Sequence, residues 1–324
     1  MKNNTPKISI IGESGTTGLR LRDRLSRRDD IELVSLPDDD RKNQEAIHHL
    51  AEETDLMFLC LPDAAAKEIA ELAKDTDVRI LDTSTAHRTK EDWIYGFPEL
   101  SKDQSEKIKT ARKVAVPGCH ASGCISILYP LIHAGVLPVD YPVHCVSLTG
   151  YSGGGKKMIA EYEADELPKG YDSPRQYGLS QIHKHLPEIR EICGLEFDPL
   201  FSPVVADYYS GMEVTIGFHS RLLGLPCGLS GSVSIDDFHE IFLHHYKNSP
   251  VIHVSDLPLQ ETNSLFLSAD EAAGKDSMTI YISGNDDRIL VSSVFDNLGK
   301  GASGAAVECM NLMLGLPPET GLDL

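Results

Sequence analysis

The sequence predicts an α/β protein in two lobes: a doubly wound parallel sheet, then an α+β lobe on a mixed, mainly antiparallel sheet. Three observations carry this. Up to residue 84, short apolar runs alternate with helical patterns, as strand–helix–strand units require. From about residue 140 onward, strand patterns follow one another with few helices between them. The 324 residues also exceed the roughly 250–300 at which a single hydrophobic core stops growing.

KISIIG (7–12) is a β-branched apolar run closing on glycine, a buried strand. Leu19, Leu21 and Leu25 among arginines give a helical pattern over 18–28. IELVSL (31–36) and LMFLCLP (56–62) read as the second and third strands, the latter stopped by proline. The acidic run Asp38–Asp40 between them reads as a solvated loop. Residues 63–74 are strongly helical and RILDTS (79–84) is a further strand; 114–137 then reads as strand, tight turn and helix. HCVSLTGYSG (144–153), EVTIGFHSRLL (213–223), GLSGSVSI (228–235), MTIYIS (278–283) and ILVSSVFDN (289–297) read as strands of the second lobe. The tail 300–316, rich in glycine and alanine, reads as a helix whose packing partner the sequence does not name.

Composition narrows the function classes. Hydrophobic residues make up 41% and charged residues 24%, as in soluble globular proteins. The net charge of -19, from 30 basic and 49 acidic residues, opposes nucleic acid and anionic membranes as partners. An anionic substrate would need clustered Arg, Lys and His to reverse the local sign. The seven cysteines (Cys60, Cys119, Cys124, Cys145, Cys193, Cys227, Cys309) are scattered, odd in number and without a CxxC pair, which fits a reduced, cytoplasmic setting. No leader pattern and no run of about 18 apolar residues occurs, so a soluble protein with no membrane partner is expected.

The first strand runs into Gly12-Glu13-Ser14-Gly15-Thr16-Thr17-Gly18 and a helix follows. Glycines there let the backbone turn and approach a pyrophosphate, whose charge the helix-start N–H groups stabilise. The spacing is GxxGxxG rather than GxGxxG, and a mere tight turn is the competing reading. Placement on the first strand of a Rossmann-like sheet favours the dinucleotide site, with Gly12, Ser14, Gly15, Thr16, Thr17 and Gly18 lining it. An acidic residue at the tip of the second strand would bind a ribose 2′-hydroxyl and repel a 2′-phosphate. That tip carries neutral Ser35, with Arg41 and Lys42 beyond, which favours NADP; Asp38–Asp40 pull the other way.

Val116-Pro117-Gly118-Cys119-His120 places a cysteine on a sharp turn opening a helix. A helix start lowers a thiol pKa, and the thiolate is the reactive form. Cys119 is therefore the candidate nucleophile, against the plainer reading of a small buried hydrophobe. His120 reads as a structural or orienting neighbour, and Cys124 as packing inward. His183-Lys184-His185 offers a general acid/base, since a neutral imidazole takes a thiol proton and later returns one. Two histidines at i, i+2 face opposite ways if extended, so one is expected to reach the thiol. The same alternation counts against a metal site.

Seven segments then carry a resemblance: GESGTTG (12–18), LDTSTAHRT (81–89), YGFPEL (95–100), VPGCHASG (116–123), GYSGGGKKM (150–158), HKHLPEI (183–189) and DNLGKGASGAAVECMN (296–311). In this order they resemble the N-acetyl-γ-glutamyl-phosphate reductase family in its shorter form; the longer form has an aromatic residue where His120 stands. The resemblance implies NADPH-dependent reduction of an acyl phosphate through a Cys119 thioester, with His185 as acid/base and His183 beside it. It implies a homodimer or homotetramer, an NADP-binding domain of 1–117 plus 297–324, and a catalytic and dimerisation domain of 118–296. Asn297 and Lys300 match the family's cofactor-side loop, and Gly153 and Gly154 lie in a loop suited to the nicotinamide or substrate. Arg88, Lys156 and Lys157 are the cations expected to hold the substrate's anionic groups. Aspartate-semialdehyde dehydrogenase is the nearest alternative, against which HKHLPEI and TSTAHRT argue. A non-catalytic dinucleotide sensor or a cofactor-free cysteine hydrolase would leave one of the two motifs unexplained.

Overall fold

The computed structural model describes residues 5–224, 233–255 and 266–324. They form two compact units, one running to Gly118 and including Ala302–Leu322, the other Cys119–Gly301 with Asp323–Leu324.

The first unit holds β1 (Lys7–Ile11), α1 (Thr16–Leu25), β2 (Glu32–Val34), α2 (Gln44–Glu53), β3 (Leu56–Leu59), α3 (Asp63–Leu72), β4 (Arg79–Asp82), β5 (Ile94–Tyr95), α4 (Lys102–Thr110) and β6 (Lys113–Ala115). The strands form one sheet in the order β2-β1-β3-β4-β6-β5, and every pairing is parallel. Strand side chains alternate between the faces, and both faces are covered. Ile8, Ile10, Leu56, Phe58 and Leu81 pack with Leu21 and Leu25 of α1 on one side. Ile11, Met57, Leu59 and Ile80 pack with α2 and α3 through Ile47, Leu50, Ala66 and Ile69 on the other. Asp38–Asp40 is an exposed single 3-10 turn.

The second unit holds α5 (Cys119–His133), β7 (His144–Gly150), α6 (Gly155–Tyr162), β8 (Arg175–Gln176), α7 (Leu186–Cys193), β9 (Leu200–Ala206), β10 (Met212–His219), α8 (Ile235–Tyr246), β11 (Ile252–Val254), β12 (Met278–Asn285) and β13 (Arg288–Phe295). Its sheet runs β11-β12-β13-β10-β7-β9-β8. The pairings β11–β12 and β7–β9 are parallel and the other four antiparallel. The chain then passes through a π-helical turn, Gly299–Ser303, into α9 (Gly304–Met313). α9 belongs to the first unit, where Ala305, Ala306, Val307, Cys309 and Met310 join the core beside Ile8 and Phe58. The unplaced tail of the sequence thus completes the parallel-sheet unit.

Two expectations change. Ile235 opens a helix rather than ending a strand: Ser234 and Asp237 form a reciprocal capping box. Residues 228–232 of that expected strand, and Cys227, lie outside the described residues. Residues 297–301 go with the second unit, not the first, because Asn297 bonds Ser152 and Gly211 there. Among the described residues no disulfide forms, and no helix is long and apolar enough to cross a membrane.

Candidate active site

Cys119 is the first residue of α5, whose first turn carries no acidic side chain. The helix dipole therefore acts on the sulfur with no acid in that turn to oppose it. Close packing holds the residue: a Cβ on Gly301 would stand 2.9 Å from the Cys119 Cβ. Cys60, by contrast, has its thiol pushed up to about 12 by burial, an inert environment.

Three imidazoles converge on one another, one of them His120, the residue that follows Cys119. His120 and His183 have ring centres 5.5 Å apart, His120 and His185 5.6 Å, and His183 and His185 4.8 Å. Phe201 of β9 lies 5.2 Å from His120 and 5.1 Å from His183, an apolar wall to the cluster. The expected alternation of His183 and His185 does not hold. The segment is a turn entering α7, with Leu186 N–H donating to the His183 carbonyl, so both rings face the same cluster. Among the described residues no set of three His, Cys, Asp or Glu is placed as metal ligands.

The protonation pattern follows from the bonds. His120 bonds Ser147 Oγ through Nδ1 at 2.7 Å and Tyr177 Oη through Nε2 at 2.6 Å. Burial holds His120 down at about 3, helped by His183. The His185 backbone N–H donates to His183 Nδ1 at 3.3 Å, which leaves the His183 ring proton on Nε2. Burial, with Lys184 adding to it, holds His183 at about 4. The Tyr177 phenol is pushed up by burial and by the Cys119 charge, so it stays a donor. Tyr177 is the member of this cluster that its own sequence context gives no means of finding, because nothing near it marks a site.

In the first unit, the glycine loop sits where the sheet order reverses, at the ends of β1 and β3. Gly12 has φ +92, and a Cβ there would overlap the Cys60 carbonyl. Gly15 N–H donates to the Gly12 carbonyl at 3.1 Å. A Cβ on Gly18 would overlap that same carbonyl, so the third glycine lets α1 close on the loop. Gly15 caps α1 with no side-chain bond, and no acid stands in the first turn, which leaves the helix-start N–H groups to an anion. A cavity of about 230 Å³ opens beside the loop, lined by Gly12, Glu13, Ser14, Leu36, Arg41 and Lys42 among others. These features fit a dinucleotide's phosphates and adenosine end.

A semialdehyde dehydrogenase NAD binding domain matches residues 7–109, and a semialdehyde dehydrogenase dimerisation domain matches 119–297. The N-acetyl-gamma-glutamyl-phosphate reductases of Brucella anthropi and Sinorhizobium medicae are each 44% identical to the chain, covering 96% and 95% of it and 99% of their own lengths. The chain belongs to the N-acetyl-gamma-glutamyl-phosphate reductase family. The solved aspartate semialdehyde dehydrogenase II of Vibrio cholerae matches with a TM-score of 0.71 at 14% identity, covering 96% of this chain and 99% of that one. The Candida albicans enzyme solved with NADP matches with a TM-score of 0.64 at 15% identity, covering 96% and 99%. At such identities the likeness shows the fold.

The other expected residues have the following surroundings. Asn297, 2% exposed, accepts from Gly211 N–H at 2.9 Å and donates to Ser152 Oγ at 3.0 Å. It therefore props the loop that carries Gly153 and Gly154. Lys300 is buried at 2% exposure. Lys157 is 91% exposed and 3.9 Å from Glu161, a solvated charge on α6, and Lys156 beside it is exposed too. Arg88 is buried and donates to the Val116 carbonyl at 2.9 Å and the Thr83 carbonyl at 3.1 Å, bracing the segment before Cys119. Ser35 gives its hydroxyl to Glu13 at 2.7 Å, and Arg41 stands 3.5 Å from the same carboxylate. Thr16 and Thr17 open α1, as the loop motif requires.

Proposed function

We propose that the chain reduces N-acetyl-γ-glutamyl phosphate to N-acetylglutamate γ-semialdehyde with NADPH, through a thioester on Cys119. The carrying observation is the convergence of His183, His185 and Tyr177 on His120, the neighbour of a cysteine at a helix start, in a chain of this reductase family. The thiolate attacks the acyl carbon; a C–S bond forms, the C–O bond to phosphate breaks, and phosphate leaves with the electron pair. When bound, the cofactor supplies the hydride that reduces the thioester carbon. The resulting oxyanion takes a proton to give the hemithioacetal. When the acid/base removes that proton again, the oxygen pair forms the aldehyde C=O, the C–S bond breaks, and its pair returns to sulfur.

His185 is the acid/base in this scheme. His183 has its Nδ1 lone pair engaged by the His185 backbone N–H and its proton on Nε2, so it orients and donates. Burial holds His183 neutral, which adds no charge to a site whose substrate is already anionic. Gly153 and Gly154 bring backbone close to the reacting groups, Asn297 holds that loop through Ser152, and Asn297 and Lys300 are assigned to the cofactor side. Arg88 and Lys156 are assigned to the substrate's anionic groups, Arg88 partly through its brace on Val116. Residues up to Gly118 with α9 form the NADP-binding domain; the second unit is the catalytic and dimerisation domain. Leu179, Ile182 and Leu200, all more than half exposed, favour self-association of that unit as a dimer or tetramer. The setting is cytoplasmic.

The direct test is phosphate-dependent reduction of NADP by N-acetylglutamate semialdehyde compared with aspartate semialdehyde. A kcat/KM at least about a hundredfold higher for the acetylated substrate is expected. Equal use of both, or preference for aspartate semialdehyde, would refute the substrate assignment.

A further inference from the structure

One residue organises the turn that follows β13. Asp296, fully buried, comes directly after the last residue of that strand. Its Oδ1 accepts from the Leu298 N–H at 2.7 Å; its Oδ2 accepts from the Gly274 N–H at 2.7 Å and the Ser210 hydroxyl at 3.2 Å. Its backbone carbonyl accepts from the N–H groups of Gly299 and Gly301, both at 3.0 Å. Three separate stretches of chain, at 210, 274 and 298–301, are thus tied to one side of a single residue. The turn they fix has no slack. A Cβ on Gly299 would overlap the Lys275 carbonyl, and one on Gly301 would stand 2.9 Å from the Cys119 Cβ and 3.1 Å from the Asp296 carbonyl. From Gly299 the backbone runs as a π-helical turn, a rare form that recurs at functional sites. All of these residues lie in the second unit, so Asp296 reaches Cys119 within one compact body.

Resting on the reading of Cys119 as the nucleophile, we propose that Asp296 is a positioning residue for its sulfur, acting through Gly301. The bonds to Asp296 hold the turn where Gly301 closes on the Cys119 Cβ, and that contact limits how the thiol can rotate. A sulfur free to swing leaves the line of attack on an acyl carbon, and a misplacement of about 1 Å costs on the order of a hundredfold in rate. The choice of an acid follows from the donors. A carboxylate accepts from Leu298, Gly274 and Ser210 together, whereas an amide has one acceptor oxygen and would turn its NH2 toward an N–H. A buried carboxylate is costly unless so bonded, which makes it a demanding device for an ordinary turn and a fitting one for the seat of a nucleophile.

Iodoacetamide labelling of Cys119, followed by peptide mass spectrometry on folded protein, tests this beside steady-state kinetics. In Asp296→Asn the labelling rate and kcat are each expected to fall at least about tenfold, with the KM for the acyl phosphate and NADPH affinity within about threefold of wild type. Loss of a negative charge alone would instead favour the thiolate and speed labelling. A role in stability alone would lower the urea midpoint and leave both rates as they are. Gly301→Ala presses on Cys119 without touching the carboxylate and should give a loss of similar size. The double variant should fall well short of the product of the two losses, because both act on one contact. Ser210→Ala removes one donor and should cost about two- to threefold in labelling. Should Asp296→Asn not fold, Gly301→Ala and Ser210→Ala decide, and wild-type rates in both overturn the proposal. Unchanged rates or faster labelling in a folded Asp296→Asn, or losses that multiply in full, overturn it as well. A wild type whose Cys119 labels no faster than its other cysteines overturns the nucleophile reading itself, and this proposal with it.

Discussion

The glycine loop of the first unit and the thiol cluster of the second solve the problem of a site in opposite ways. The loop is seven consecutive residues whose work is done by backbone: a positive φ at Gly12, a missing Cβ at Gly18, uncapped N–H groups at the start of α1. The cluster is side chains from five separate segments: Cys119 and His120 on α5, Ser147 on β7, Tyr177 after β8, the two histidines before α7, and Phe201 on β9. The first kind tolerates little change in backbone and much in side chain. The second depends on the sheet that gathers its members, and each member can be removed alone. Substitutions should therefore separate the two sites cleanly.

The largest effect is expected at the sulfur. Cys119→Ser should lower reductase turnover at least about a thousandfold while NADPH binding is retained. Turnover within tenfold of wild type would break the comparison. The converse is Gly12→Ala, which places a side chain at φ +92 against the Cys60 carbonyl. Such strain costs about 1–3 kcal/mol, and NADPH affinity should fall at least about tenfold. Iodoacetamide labelling of Cys119 should continue unchanged, and a simultaneous loss of labelling would show that the sites are not separable.

This contrast also explains what was legible beforehand. The loop, the parallel sheet and the cysteine turn are contiguous patterns, so strand–glycine–helix and Val-Pro-Gly-Cys could be read directly. Tyr177 and Phe201 could not, because long-range pairing brings them in. Leu200–Ala206 also hides as an interior strand, since Pro203 removes one backbone donor and masks the pattern. The two histidines were found, but their common facing was not, because a turn rather than a strand carries them. The bond from Ser35 to Glu13 was not legible either, because it joins the strand tip to the glycine loop across 22 residues.

Smaller effects sharpen the picture of the cluster. Tyr177→Phe removes the hydroxyl 2.6 Å from His120 Nε2 and should cost about 1–2 kcal/mol in urea unfolding. An unchanged midpoint would mean that water replaces it. Acidification acts on the same groups. His120 at about 3 and His183 at about 4 both lie below their ordinary 6.5, so the unfolded chain binds the protons first. Stability is then full above about pH 6.5 and falls as pH drops toward 4. A melting temperature that rises over that interval would contradict the neutral cluster. The least effect is expected at Lys157, whose replacement by Ala should change kcat/KM less than about twofold and stability by under about 0.5 kcal/mol.

Covalent attachment is the point on which the mechanism turns. Enzyme mixed with the acyl phosphate in the absence of NADPH should release about one phosphate per subunit in a burst. Intact-mass and peptide spectra should then place an N-acetylglutamyl group on Cys119. Full turnover with NADPH but no burst and no adduct, or an adduct on another residue, would contradict it.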